Sequence, residues 1–159
     1  MTNINIGISE QDRKGVTGML ANILADEYVL YTKTRNYHWN VVGPHFNDYH
    51  KMFEGQYAGL SDDIDEIAER IRSLGSKTSA TLEEFAKNSR LKEHPGKYPE
   101  AKSMVQNLIS DHEKIIQSIR QDIDTCGKYS DVGTQDFLTG LMEKHEKTSW
   151  MLRSILEWG

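Results

Sequence analysis

The chain has 159 residues, of which 37% are hydrophobic and 27% are charged, and its formal net charge is −5 at pH 7. This length predicts one domain, residues 1–159, with a full hydrophobic core. The net charge argues against a general attraction to nucleic acid or anionic lipid, and no apolar run approaches the ~20 residues that span a bilayer. The first residues lack the pattern of a secretory signal, and the single cysteine, Cys126, cannot form an intrachain disulfide. We therefore expect a cytoplasmic protein with no membrane partner.

Two long amphipathic helices are predicted in the first half of the chain. The first begins after Ser9, whose side chain can cap free backbone amides, and its apolar residues follow helical spacing to about His38. The Gly43-Pro44 pair then ends this helix. The second helix runs from about residue 47 to residue 74, and Gly75 is a suitable C-terminal cap.

The second half of the chain predicts a crossover and two more long helices. The crossover, residues 76–98, is rich in polar residues and contains a predicted short helix at Leu82–Asn88, capped by Thr81. The third long helix covers about residues 99–127, and the fourth about residues 134–157. This order predicts an all-α, ferritin-like four-helix bundle with a long crossover between the second and third helices. The helix pattern alone is more typical of an ordinary cytosolic bundle with scattered histidines.

Residue types that ligate metals lie along one side of the second helix. At about 100° per residue, His50, Glu54, Asp65 and Glu69 point in similar directions. A pair such as Asp65 and Glu69, one turn apart, is by itself typical of a solvated helix face. His50 and Asp65 are separated by about 22 Å of helix rise, so one chain cannot bring both to one metal ion. The two halves meet across a subunit interface, or they are not one site.

A twofold axis would join the two halves. In an antiparallel pair of second helices, His50 of one chain faces Asp65 and Glu69 of the partner subunit. His38, at the end of the first helix, can join His50 after the Gly43-Pro44 turn. Small residues that would permit close helix approach lie near the midpoint, although chance composition explains them equally well: Gly55, Ala58, Gly59 and Ser61.

The predicted donor set is two imidazoles with two or three carboxylates. This mixture suits iron, manganese or zinc. An open, carboxylate-rich site favours Fe(II) that must meet an oxidant, and zinc is the main competitor. The sequence has no HExxH pattern of a zinc protease and no Gly-rich phosphate loop. A zinc-binding bundle without redox turnover therefore remains an alternative to an iron protein.

The chain contains two distinctive segments, KTRNYHWNVVGPHFNDYHKMFEGQY and IDEIAERIRSLG. Both closely resemble the signature of the Dps family. The members of this family are miniferritins, also called DNA-binding proteins from starved cells. The resemblance extends from about Arg13 to Trp158 and includes DFLTGLMEKHEKTSWMLRS. It implies a homododecameric shell of four-helix subunits with ferroxidase centres at twofold interfaces. Such a shell oxidises Fe(II), preferentially with hydrogen peroxide rather than dioxygen, stores ferric mineral in its cavity and protects against oxidative damage.

The resemblance also assigns residues to this centre. The family's two histidines match His38 and His50, and its aspartate and glutamate match Asp65 and Glu69 of the partner subunit. The carboxylate one turn after the second histidine is often Asp and can bind a weaker second iron ion. This chain has Glu54 there, with a longer side chain, so its part in a two-iron centre is an open question.

Three further residues receive roles from the family. Its tryptophan beside the first histidine matches Trp39, which would trap oxidising equivalents, and a packing aromatic is the alternative. Asp131 and Asp136, near the start of the fourth helix, match a region where the family has acidic pores that admit cations. Simple helix-start electrostatics is the alternative for both aspartates, since Asp is favoured at this position in any helix.

The remaining four histidines have no assigned ligand role. His45 precedes the second helix and is expected to be a loop residue or to support the metal site. His94, His112 and His145 fit no ligand spacing with one another, and we expect surface or packing positions for them.

DNA binding is the weaker part of the resemblance. Many family members bind DNA through lysine-rich tails, whereas no Lys or Arg precedes Arg13 here, and twelve copies would carry a charge of about −60. We expect little or no DNA binding, and a DNA-compacting protein with secondary iron chemistry is the alternative function. Six cations could still form local basic patches, although solvated surface charge is their ordinary interpretation: Lys33, Arg35, Lys87, Arg90, Lys92 and Lys97.

Overall fold

A computed structural model describes residues 4–157, which leaves Trp158, the end of the family-like segment, outside the described residues. In this range the chain forms helices and no strand: α1 (Glu10–Asn40), α2 (Phe46–Ser73), α3 (Leu82–Asn88), α4 (Ala101–Lys128) and α5 (Val132–Leu156). The predicted all-helical fold, with a short helix in the long crossover, is confirmed. Among residues 4–157, no helix is both long and apolar enough to cross a membrane.

Local signals in the sequence set the helix ends. The Ser9 side chain accepts a backbone hydrogen bond at the start of α1, as predicted. Thr81 and Glu84 form a reciprocal capping box at the start of α3. Asp131 caps α5, which begins at Val132, two residues earlier than predicted. Gly75 follows α2 with φ of +95°, the left-handed conformation that favours glycine after a helix.

Four long helices enclose one apolar core. α1 packs along α2, α4 packs along α5, and α1 also contacts α3 and α4. Burying one of the large aliphatic side chains contributes about 1.5–3 kcal/mol relative to leaving it in water. Large side chains that are fully buried come from all four long helices: Leu20, Ile23, Leu24, Leu30, Phe53, Ile67, Ile71, Met104, Leu108, Ile115, Ile119, Leu138 and Leu152. α2 and α5 make few contacts with each other, and a groove separates part of their length.

Candidate metal centre

The end of α1 and the beginning of α2 bring His38 and His50 together, as predicted. Their rings stack with centroids 3.7 Å apart and planes inclined by 20°. His38 Nδ1 lies 2.8 Å from the His50 carbonyl oxygen, and His50 Nδ1 lies 2.8 Å from the His38 carbonyl oxygen. A carbonyl oxygen only accepts, so each Nδ1 carries a proton and donates it. In the neutral imidazole this tautomer leaves the lone pair on Nε2, which is the form of imidazole that ligates a metal ion.

Aromatic side chains fix the orientation of the two imidazoles. The Tyr57 ring meets His38 edge-on at a centroid distance of 5.2 Å, and the Phe46 ring lies 5.0 Å from His50. His38 is buried and His50 is half-buried, whereas Phe46 is largely exposed. The histidine pair is thus held by backbone and aromatic contacts at the surface of the helix bundle.

The predicted carboxylate ligands lie elsewhere along the same helix. Glu54, Asp65 and Glu69 are exposed, and no hydrogen bond or ion pair within residues 4–157 engages their carboxylates. α2 is continuous through His50 and Asp65, so the predicted separation of about 22 Å along its axis holds. Across the described part of one chain, no three His, Cys, Asp or Glu side chains are placed together to hold a metal ion. One chain presents two half-sites at different positions along one helix.

Trp39 stands beside the histidine pair at the surface. Its side chain is 64% exposed, so it is not packed into the core of this chain, and both its proposed redox role and the alternative of a packing aromatic stay predictions. The Arg35 guanidinium lies 4.9 Å from the Trp39 ring centroid and 4.9 Å from that of Tyr57, and it donates to the Tyr31 hydroxyl at 2.6 Å. A cation over an aromatic face is attracted to the ring electrons. Arg35 therefore connects Trp39 to the aromatic groups around His38, an arrangement that the sequence did not reveal.

The small residues of α2 divide between two faces. Ala58 and Ser61 share the side of the helix that carries His50 and Asp65. Gly55 and Gly59 instead line the groove between α2 and α5. The close approach of two α2 helices through these small residues stays a prediction, and the two glycines lie on a different side of α2 from His50 and Asp65.

The two aspartates near the start of α5 have different roles. Asp131 is 2% exposed, and its Oδ1 accepts hydrogen bonds from the Thr134 backbone amide and from Arg70, each at 2.9 Å. Its Oδ2 accepts from the Thr134 hydroxyl at 2.6 Å. The predicted pore role is wrong for Asp131, because both oxygens are bound inside the chain as a helix cap. Asp136 is exposed, and its pore role stays a prediction.

Two of the other histidines form a contact that the sequence analysis missed. His112 and His145 are buried in the core, so packing positions were correctly expected, but their Nδ1 atoms lie 2.8 Å apart. His145 Nε2 is also 2.6 Å from the buried Glu27 carboxylate. Each of the three residues occupies a position on a buried helix face where helical spacing predicts an apolar residue. An ionisable residue at such a position is the sequence signal that could have identified them. His45 and His94 are exposed, as expected for loop and surface residues.

Cys126 adds no reactive group. It is completely buried, and burial, with the nearby Asp131 and Asp122, raises the pKa of its thiol to about 11. The thiolate is the nucleophilic and metal-ligating form of cysteine. The thiol therefore remains protonated at neutral pH.

Comparisons with known proteins place the chain among the ferritins. The sequence pattern of the ferritin-like domain matches residues 18–158. An uncharacterised low temperature-induced protein of Nostoc is 48% identical over 158 residues, which cover 99% of this chain and 88% of that protein. DNA protection during starvation protein 2 of Bacillus anthracis is 38% identical over 144 residues, which cover 90% of this chain and 97% of that protein.

A solved structure gives the same result in three dimensions. The Dps protein of Vibrio cholerae O1, described as a member of a broad superfamily of ferritin-like diiron-carboxylate proteins, superposes with a TM-score of 0.91. It is 31% identical, and the match covers 98% of both chains. The fold and the matched domain therefore define a ferritin-like protein. Within that class, this chain belongs to the Dps family of miniferritins.

Proposed function

We propose that this protein oxidises Fe(II) at ferroxidase centres on a twofold dimer interface and stores the ferric mineral inside a dodecameric shell. The observation that carries the proposal is the reciprocal pair of Nδ1–carbonyl hydrogen bonds between His38 and His50. This pair presents two Nε2 lone pairs side by side at the chain surface. The resemblance to the Dps family supports the same residues.

In the proposed dimer, two α2 helices run antiparallel. Each centre then contains His38 and His50 of one subunit with Asp65 and Glu69 of the partner subunit, and the dimer has two such centres. These carboxylates are exposed and have no partner among residues 4–157. They are therefore free to bind a metal ion that is shared with the histidines of another subunit. Glu54, one turn from His50, is the proposed ligand for a second iron ion.

The proposed oxidant is hydrogen peroxide, used in preference to dioxygen. Two Fe(II) ions lose one electron each, and one peroxide molecule takes up both electrons and two protons to give two water molecules. Anionic carboxylates stabilise the more highly charged Fe(III) product more than they stabilise Fe(II). Positioning two iron ions together lets both electrons reach one peroxide without release of a hydroxyl radical.

Trp39 is proposed to take up oxidising equivalents that escape this two-electron reaction. Its indole is exposed next to His38 in the sequence, and the Arg35 guanidinium lies against its ring. Arg35 also contacts Tyr57 and Tyr31, so it links the indole to the aromatic groups around the histidine pair.

Protection of DNA is proposed to come from consuming Fe(II) and peroxide in the cytoplasm rather than from coating the duplex. Two cations that could have formed basic patches are used inside the chain. Lys33 is buried against Asp111 at 2.6 Å, and Arg90 pairs with Asp26 at 2.6 Å and with Asp122 at 3.5 Å. This pairing argues against the alternative of a DNA-compacting protein.

The test is Fe(II) oxidation by hydrogen peroxide, followed optically on the purified oligomer together with its iron content. We expect His50→Ala to lower Fe(II) affinity and oxidation by at least tenfold, because one of the two imidazoles is lost, while helix content stays unchanged by circular dichroism. His94→Ala, an exposed histidine on the crossover, is the matched control and should behave as the unmodified protein. Equal losses in both variants, or no oxidation by the unmodified protein, would contradict the proposal.

A further inference from the structure

Three ionisable side chains from three helices form a hydrogen-bonded chain inside the bundle. Glu27 of α1 is 0% exposed, and His112 of α4 and His145 of α5 are each 2% exposed. Glu27 Oε1 lies 2.6 Å from His145 Nε2, and His145 Nδ1 lies 2.8 Å from His112 Nδ1. Removing such groups from water is costly unless they are paired, so their position in an apolar core needs a reason.

Polar atoms without a partner lie where the hydrogen-bonded side chains of Glu27, His145 and His112 reach the groove between α2 and α5. The groove has a volume of about 580 Å³, and His112, His145 and Gln56 line it. Among residues 4–157, His112 Nε2 and Gln56 Oε1 are buried atoms with no hydrogen-bond partner. Unsatisfied buried polar atoms in native proteins commonly mark a place for water or an ion.

The hydrogen bonds allow two protonation states. Burial lowers the pKa of His145, but the Glu27 carboxylate outweighs it and raises that pKa above its ordinary value. Burial and then His145 hold the pKa of His112 well below its ordinary range. In the first state His145 carries a proton on both ring nitrogens and donates to both Glu27 and His112 Nδ1, so the His112 proton is on Nε2. With one proton removed, His112 Nδ1 donates to His145 and its Nε2 offers a lone pair.

We propose that the floor of this groove is a second metal site, separate from the interface centre, where a borderline transition-metal dication binds His112 Nε2 and the Gln56 amide oxygen in exchange for one proton. Water in the groove completes the coordination. Imidazole and neutral oxygen donors suit Co(II), Zn(II) and Fe(II). Metal-ligating histidines usually donate their other N–H to an acceptor that leads to a carboxylate, as the chain from His112 through His145 to Glu27 does. This inference stands independently of the proposed function.

At the bottom of the groove, the positive and negative charges around the proposed metal ion balance each other. Removal of the proton leaves the Glu27 carboxylate uncompensated, and the dication replaces the lost positive charge. Asp63 of α2 and Lys144 of α5 line the groove and pair with each other at 2.5 Å. Lys51 and Lys147 lie at its exposed rim, where solvent weakens their repulsion of a cation. Since one proton competes with the metal, affinity should rise as pH rises through the range in which that proton is lost.

The experiment uses CoCl2 and the full-length chain carrying His50→Ala and Asp65→Ala, which silence the interface centre. Co(II) is followed by visible absorption, and proton release by calorimetry in two buffers of different ionisation enthalpy. We expect one Co(II) ion per chain and about one proton released for each ion bound. Glu27→Gln should weaken binding by about 10–100-fold, because it removes the carboxylate behind the ligand. His112→Gln and Gln56→Leu should abolish it, and His94→Gln is the unaffected control.

Failure to bind Co(II) in the silenced protein would overturn the second site. Unchanged binding in both His112→Gln and Gln56→Leu would overturn it equally. If His112→Gln does not fold, Gln56→Leu decides, because Gln56 lies at the groove rather than in the core. Because His50 and Asp65 of the interface centre are replaced in every protein in this series, the result is separate from the test of Fe(II) oxidation by peroxide.

Discussion

At the scale of single residues, the backbone determines what His38 and His50 can do. Each imidazole donates its Nδ1 proton to the other residue's carbonyl oxygen, so each free Nε2 follows from the way α1 turns into α2. A hydrogen bond of this kind contributes about 0.5–1.5 kcal/mol to stability. The same contacts that join the two helices therefore also set the tautomer of both proposed ligands.

The sequence predicted this pair but missed other residues near it. His38, His50 and the turn between them are close in the chain, so local spacing was sufficient. Arg35 reaches Tyr57 on another helix, and His112 reaches His145 across 33 positions. Contacts of that kind depend on how helices rotate against each other, which a single sequence does not specify.

At the scale of elements, helix ends were predictable because caps are local. α3 has its predicted bounds, and the other helices begin and end within a few residues of prediction. α5 began earlier than predicted, since Asp131 rather than a residue nearer Thr134 supplies the cap. The same aspartate was misinterpreted as a pore residue, because its burial against Arg70 could not be seen in the sequence.

The capping role of Asp131 leads to a stability prediction. Asp131→Ala should lower the free energy of unfolding by about 2 kcal/mol, since it removes an N-cap and the carboxylate that pairs with Arg70, which keeps only its hydrogen bond to the Thr134 hydroxyl. Asp136→Ala, at an exposed position one turn later, should change it by less than about 0.5 kcal/mol. Urea denaturation followed by circular dichroism measures both. Normal stability with slowed iron uptake in Asp131→Ala would instead support a pore role.

At the scale of the whole molecule, charge opposes contact with DNA. The chain carries −5, and Lys33 and Arg90 are already paired with carboxylates inside it. Non-specific binding to duplex DNA depends on cations that replace counterions along the phosphates. The proposed shell of such chains would have a negative net field that repels the duplex.

We therefore predict no mobility shift of duplex DNA at neutral pH and near-physiological salt in metal-free buffer. Protection of the same DNA against Fe(II) and peroxide should persist, because it depends on consuming the reactants. His50→Ala should lose this protection with no change in DNA binding. A tight complex that salt dissociates would show that the surface attracts DNA after all.

The central claim is that two subunits share each ferroxidase centre. It rests on the continuous α2 helix, which holds His50 and Asp65 about 22 Å apart in one chain. A chain that lacks both histidines and a chain that lacks both carboxylates should each be inactive alone. Paired in one dimer, they restore one complete centre and leave the other with only Glu54 of its proposed ligands.

The most direct measurement is peroxide-driven Fe(II) oxidation after co-assembly of these two chains. One chain carries His38→Ala and His50→Ala, and the other carries Asp65→Ala and Glu69→Ala. Random assembly of equal amounts makes half of the dimers mixed, so we predict recovery of about a quarter of the activity of the unmodified protein. The two parent proteins measured alone are the controls. Co-assembled shells no more active than the parents, or a monomer with full activity, would contradict a centre shared between subunits.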